Sequence, residues 1–523
     1  MKTKLISTLF AGILILSACT NQKQNLIQDV VTIENGQISG IVDETTGIKT
    51  FKGIPFAAPP VGELRWKAPQ PVEPWEGLKE CTAFSASPIQ GTPMPFSMWT
   101  QEFIAPKEPL SEDCLYLNVW TGAQTSDEKR PVFVYIYGGG FSSGSSAVPI
   151  YDGEEIAKKG VVFVSPNYRV GTMGFLAHPE LTAESPHNAS GNYGLLDQVE
   201  ALKWVHNNIE AFGGDPNNVT IAGQSAGAFS INYLVASTLT KGLIHRAIAE
   251  SGGAVVSNSA LASGGGLKAA EEAGVKYAES LECSSIAELR AKTPEEILSV
   301  RGGGMPIVDG YFLPKSVGEI FANGEQNDVP AILGWNKNEG FGPPPASADQ
   351  FKERVKSMFG DKAEEFLQRF PVNSDEEAFA IQNDLGTLQT FGIQSYKWME
   401  LQEKTATSPV YMYRFERNVP YADGMQDFGA FHTGEVPYAY NNLKMSPRPW
   451  TEADYKLADT MSDFWVNFAK NGDPNGENLP EWEVSTLDDM RSMIFDTEIR
   501  CTETPSRELL KFLDEFYSSD SNQ

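Results

Sequence analysis

The 523-residue chain carries 68 acidic against 41 basic side chains, a formal net charge of −27, with 41% hydrophobic and 11% aromatic residues. That apolar content suits a globular protein with a large core, either one big α/β domain or two to three ordinary ones. No Lys/Arg-rich run appears, which argues against a nucleic-acid partner, and the acidity reads as a soluble, self-repelling exterior.

At the N-terminus, Lys2 and Lys4 precede the apolar run Leu5 to Leu16, too short for a stable membrane span and right for a signal peptide. The run ends in Leu16-Ser17-Ala18-Cys19, which resembles the bacterial lipoprotein box. Residues 1–18 are therefore expected to be a lipoprotein signal peptide and Cys19 the lipidation site. Residues 19–29 form a polar tether, and residues 30–523 one α/β domain. The expected location is the bacterial cell envelope, lipid-anchored to a membrane and facing the periplasm or the cell surface. No other stretch holds ~18 consecutive apolar residues, so nothing else is expected to span a bilayer.

From Val30 to Gly53 the pattern is strand, turn, strand, with Thr45-Thr46-Gly47 as the turn of an antiparallel hairpin. Pro131 to Tyr137 and Val161 to Pro166 are continuous apolar runs of the kind buried in a mostly parallel sheet. Asn192 to Gln198 begins an amphipathic helix that leads to Phe212, and Arg169 with Asp197 reads as a scaffold pair. Ala247 to Ser251, Val329 to Trp335 and Val410 to Phe415 are further strands. Helices are expected across 254–306, around Tyr455 to Lys470 and from Ser506 to Tyr517. Strands alternating with helices point to a doubly wound α/β sheet.

The most informative stretch is Phe212 to Phe229, a turn, a β-branched strand and a helix start around Gly223-Gln224-Ser225-Ala226-Gly227. This is a G-x-S-x-G nucleophile elbow in the strand–turn–helix setting that the motif requires. Side chains at 223 or 227 would collide with the neighbouring strand and helix, and Ser225 is expected to take a strained backbone conformation. Upstream, Gly138-Gly139-Gly140-Phe141 follows a core strand, as an oxyanion loop would. The N–H groups of Gly139, Gly140 and Ala226 are the expected donors.

A serine nucleophile needs a base and an orienting acid, which follow it in this fold in the order serine, acid, histidine. The chain has five histidines. His178, His187 and His206 precede Ser225, and no Asp or Glu lies between Ala226 and Ile244 to serve His245. His432, in a glycine-flanked loop, remains as the base. For the acid, Glu339 follows the strand Val329 to Trp335, with Asp309 as its competitor.

Phe212 to Gly227 resembles the active-site serine signature of the type B carboxylesterases, the family that includes the cholinesterases. Glu112 to Val119 resembles its second signature, and Trp465 to Ala469 with Gly472 to Asn475 extends the resemblance over nearly the whole mature chain. The resemblance implies an α/β-hydrolase fold and serine-dependent hydrolysis of carboxylic esters through an acyl-enzyme. It also implies a small-molecule ester substrate and no metal or organic cofactor. The same machinery could cleave thioesters, carbamates or amides, and some relatives of this fold are adhesion proteins that have lost the machinery. The family commonly uses glutamate at the position of Glu339, whereas Asp309 resembles a structural turn. Arg65 is expected to pair with Glu112, and residues 82–110, with Trp99, to overhang the site. Residues 254–306 and Phe341 to Ser347 are the other expected walls. Cys114 and Cys283 lack the family's usual partner cysteines, so they and Cys81 and Cys501 are expected to be free, mostly buried thiols.

Overall fold

A computed structural model describes residues 27–258, 265–302, 304–340, 347–421, 424 and 426–520. Its centre is an 11-stranded sheet. In chain order the strands are β1 (Ile41–Val42), β2 (Lys49–Pro55), β3 (Tyr116–Thr121), β4 (Arg130–Ile136), β5 (Val162–Pro166), β6 (Gly214–Gln224), β7 (Arg246–Glu250), β8 (Ala331–Asn336), β9 (Val410–Phe415), β10 (Arg491–Phe495) and β11 (Arg500–Glu503). Across the sheet they run β11-β10-β9-β8-β7-β6-β4-β5-β3-β2-β1. Strands β4 to β10 are parallel, and the edges are antiparallel. All residues of β5, β8 and β9 are buried, as expected for strands covered on both faces.

The helices that matter for the site are α1 (Tyr193–Asn208), α2 (Ala226–Ala236), α3 (Val436–Ala439) and α4 (Glu452–Asn471). Helix α4 starts with a capping box between Thr451 and Asp454 and stops at Gly472, whose φ of 77° permits the left-handed turn. Its Phe464, Trp465 and Phe468 are fully buried in the core.

The hairpin that turns at Thr45–Gly47 is present as β1 and β2. A second hairpin precedes it, pairing Val30–Ile33 with Gly36–Ser39 in a separate three-stranded sheet. Its turn is set by packing, because a Cβ on Gly36 would lie 2.6 Å from the Trp75 indole.

Two ion pairs brace the scaffold. Arg169 grips Asp197 through Nε and Nη2 at 2.8 and 2.7 Å, with both residues buried. Arg65 pairs bidentately with Glu112 at 2.6 Å and also donates to the carbonyls of Arg290 and Lys292. It is thus more enclosed than an ordinary surface pair. Cys81, Cys114, Cys283 and Cys501 are free, and the first three are buried. Burial pushes the Cys81 thiol up to about 11, which keeps it inert at neutral pH.

Candidate active site

Strand β6 ends at Gln224 and α2 begins at Ala226, so Ser225 occupies the turn between them with φ 57° and ψ −127°. A non-glycine residue held there costs on the order of 1–3 kcal/mol. The position is held by the Ser225 N–H, which donates to the Glu250 carbonyl at 2.9 Å. The flanking glycines are steric necessities: a Cβ on Gly227 would lie 2.1 Å from the Ile136 carbonyl oxygen, and one on Gly223 2.6 Å from the Gly227 carbonyl carbon.

The glycine loop after β4 lies against this elbow. A Cβ on Gly138 would meet the Gln224 carbonyl oxygen at 2.5 Å and the Ser225 Cβ at 3.0 Å. The Gly139 carbonyl accepts the N–H groups of Ser142 and Ser143, both at 3.1 Å, which curls the loop. The N–H groups of Gly139, Gly140 and Ala226 make no backbone hydrogen bond among the described residues. Ala226 opens α2, so its N–H lies at the positive end of that helix.

His432 stands next to the elbow, with Gln224 Nε2 3.3 Å from its Nδ1. The imidazole Nδ1 is 2.8 Å from Glu339 Oε2. That contact assigns the ring proton to Nδ1 and leaves Nε2 as the basic nitrogen. Phe391 stacks on the ring with centroids 4.7 Å apart, and Trp99 meets it edge-on at 6.3 Å. Glu339, three residues beyond β8, accepts the Asn336 N–H at 2.6 Å and the Ser251 hydroxyl at 2.9 Å on Oε1. Burial lowers His432 below its ordinary value of 6.5, favouring the neutral base at rest. Burial pushes the Glu339 carboxyl up to about 8, against the opposing pull of the hydrogen bonds from Asn336 and Ser251.

The structure thus brings Ser225, His432, Glu339 and the glycine loop together. Asp309 lies elsewhere and caps a turn, its Oδ1 accepting the N–H groups of Tyr311 at 3.0 Å and Leu313 at 2.9 Å. Trp99 does reach the site, donating from Nε1 to the Thr433 hydroxyl at 3.2 Å, which in turn donates to Gln224 Oε1 at 3.3 Å. Its segment is clasped by Arg448, which donates to the Met98 carbonyl at 3.2 Å and Thr100 Oγ1 at 3.1 Å. Cys19, residues 259–264 and residues 341–346 lie outside the described residues. Sequence reasoning missed Ser251, Phe391 and Gln224 as neighbours of the triad. Only Gln224 carried a signal, its place beside the serine.

Residues 27–513 match the family described as "Carboxylesterase family". The chain belongs to that family and is a carboxylic ester hydrolase with the α/β-hydrolase fold. Among its relatives is the fumonisin B1 esterase of Sphingopyxis macrogoltabida, 37% identical over 85% of this chain and 83% of that one. The para-nitrobenzyl esterase of Bacillus subtilis is 32% identical over 92% of this chain and 98% of its own. The cocaine esterase of Homo sapiens is 33% identical over 92% and 90% respectively.

Proposed function

We propose that this protein hydrolyses carboxylic esters by a serine mechanism with Ser225 as nucleophile, His432 as general base and Glu339 as the orienting acid. The observation that carries the reading is the buried 2.8 Å contact of His432 Nδ1 with Glu339, beside an elbow that holds Ser225 in a strained turn. Ser225 attacks the ester carbonyl as His432 Nε2 takes its proton. Glu339 stabilises the resulting imidazolium, while the N–H groups of Gly139, Gly140 and Ala226 receive the oxyanion. The imidazolium then protonates the departing alcohol. Water, deprotonated by the same histidine, releases the acid from the acyl-enzyme. A fluorophosphonate probe should label Ser225 in the wild type and nothing in Ser225→Ala. That variant should lose about 10⁴ to 10⁶ in kcat, as should His432→Ala, with the double variant hardly worse. Ordinary esterase activity in folded Ser225→Ala would overturn the mechanism.

We further infer that residues 30–523 form a single catalytic unit carried on the lipid-anchored tether 19–29, in the bacterial cell envelope. The motif Leu16-Ser17-Ala18-Cys19 after a short apolar run supports this reading. In a host able to lipidate, Cys19→Ala should abolish fatty-acid labelling and leave esterase activity intact. Wild-type protein without lipid on Cys19 would refute the anchor.

A further inference from the structure

Behind the His432–Glu339 pair lie two more carboxyls that the mechanism does not use. Glu435 and Glu250 are fully buried, and among the described residues no lysine or arginine pairs with either. Glu250 Oε1 accepts the Trp465 N–H at 2.7 Å and the Tyr440 hydroxyl at 3.1 Å, whereas its Oε2 has no partner. Glu435 Oε2 accepts the Asn336 side-chain amide, and its Oε1 likewise has no partner. Asn336 Oδ1 is a third buried acceptor without a donor. The Tyr135 and Tyr413 hydroxyls beside them are, among the described residues, buried without partners too. Neither bare carboxyl oxygen is therefore met by a donor, and ionising either carboxyl would leave its charge buried and uncompensated. A protonated carboxyl supplies a donor and removes a buried charge.

Asn336 links this cluster to the triad. Its backbone N–H holds Glu339, and its side-chain amide donates both to Glu435 and, at 2.8 Å, to the Phe431 carbonyl next to His432. We propose that Glu435 is a positioning residue that works as a neutral, protonated acid. With Glu250 also neutral, it orients Asn336 and the His432 loop and leaves Glu339 as the single anion behind the imidazole. This deepens the triad reading and rests on it. Burial raises Glu339 and Glu435 alike, to about 8, and it is geometry that gives Glu339 the anionic role. Asn336, Ser251 and His432 all face its oxygens, whereas among the described residues Glu435 has Asn336 alone. An anion at Glu435 would raise His432 toward the resting imidazolium, against the neutral form that its burial favours.

The groups facing Glu435 agree. They are Glu339, Glu250, His432 and the hydroxyls of Tyr135, Tyr151, Tyr413 and Tyr440, and among these described residues none brings a compensating positive charge at rest. Burial, reinforced by the Glu339 charge, pushes the Glu435 carboxyl up to about 8, and burial raises Glu250 well above the ordinary carboxyl range. Because the folded protein then binds a proton that the unfolded chain releases near 4.5, stability should decline as pH rises from there to about 8.

The test combines spectroscopy with rescue. At pH 7, an infrared difference spectrum of wild type minus Glu435→Gln should show a buried carboxylic-acid C=O stretch. Glu435→Ala, which releases Asn336, should lower kcat by about 10²-fold with KM little changed. Glu435→Gln, neutral and nearly isosteric, should recover most of that loss and flatten the decline of Tm between pH 4.5 and 8. A carboxylate band in place of the acid band, or a Gln variant as impaired as the Ala variant, would overturn the proposal. Should Glu435→Ala not fold, the band and the pH dependence of Tm still decide. Neither depends on which residue is the nucleophile, so failure here is distinguishable from failure of the triad.

Discussion

Two buried acid–base pairs sit in the same core, Arg169–Asp197 and His432–Glu339, and they share a design. Each acid accepts a backbone N–H as well as its partner: Asp197 from Arg169 at 3.0 Å, Glu339 from Asn336 at 2.6 Å. Their partners differ in one respect that decides everything else. Burial works against the charge on Arg169, but the Asp197 carboxylate holds it above its ordinary value, so that pair is permanently ionic. Burial lowers His432, so its pair becomes fully ionic only when the serine proton arrives. One pair spends its electrostatics on the fold, and the other reserves them for the transition state.

The largest expected effect follows from the second pair. Glu339→Gln should reduce kcat by about 10⁴, because an amide can contact the imidazole but favours the wrong tautomer and offers no charge. That is about 5.4 kcal/mol of barrier, with little change in Tm, since the replacement is isosteric. Steady-state kinetics beside a thermal melt checks both parts. A Glu339→Gln protein that keeps most of its activity would merge the two pairs into one structural class.

Next in size is Asp197→Asn, which leaves the Arg169 guanidinium buried without a counter-charge and should cost about 3–5 kcal/mol of stability. The folded fraction should retain its turnover. Replacing both partners by apolar residues, as in Arg169→Met with Asp197→Leu, should restore much of the stability. No double replacement of His432 and Glu339 should restore turnover. Denaturant unfolding paired with activity per folded molecule separates these outcomes, and a double variant as unstable as the single one would break the contrast.

How much of this was legible in the sequence depends on how local each feature is. The elbow and the glycine loop each occupy a few consecutive residues between a strand and the next element, so the requirements of the turn are written in adjacent letters. His432 emerged by elimination, a gift of the small number of histidines. Ser251 could not be found that way, because it meets Glu339 across 88 positions and nothing near it announces the contact. Phe391 and Trp99, from separate segments, enclose the imidazole only once helices and loops have folded over the sheet. The bare, unpaired carboxyl oxygens of Glu435 and Glu250 are a property of three-dimensional packing alone.

A smaller effect concerns pH. His432 is lowered by burial, so the acid limb of kcat/KM should fall below 6.5, the ordinary histidine value. The same shift has a stability consequence of definite sign: a histidine lowered in the folded state supports folding above 6.5 and loses that support as pH falls through its folded value. The Arg169–Asp197 pair should contribute no activity limb in this range. A pH profile with its acid limb at or above 6.5 would mean that the imidazole is not held neutral by its surroundings.

The smallest effect is expected where a third acid tests the specificity of the comparison. Asp309 is nearly buried and follows Ser225 in the chain, so on residue order alone it competes with Glu339. Its work in the structure is local: Oδ1 accepts the N–H groups of Tyr311 and Leu313 and closes a turn. An asparagine keeps that oxygen. Asp309→Asn should therefore preserve both hydrogen bonds and the activity, and change stability by no more than about 0.5–1.5 kcal/mol, the net worth of one ordinary hydrogen bond. Burial raises the Asp309 carboxyl above its usual range, so the charge removed is one that the site already disfavours. Measured beside Glu339→Gln, this variant asks whether catalysis needs a buried carboxylate in general or the one that touches His432. An inactive Asp309→Asn protein together with an active Glu339→Gln protein would transfer the acid's role and undo the contrast with Asp197.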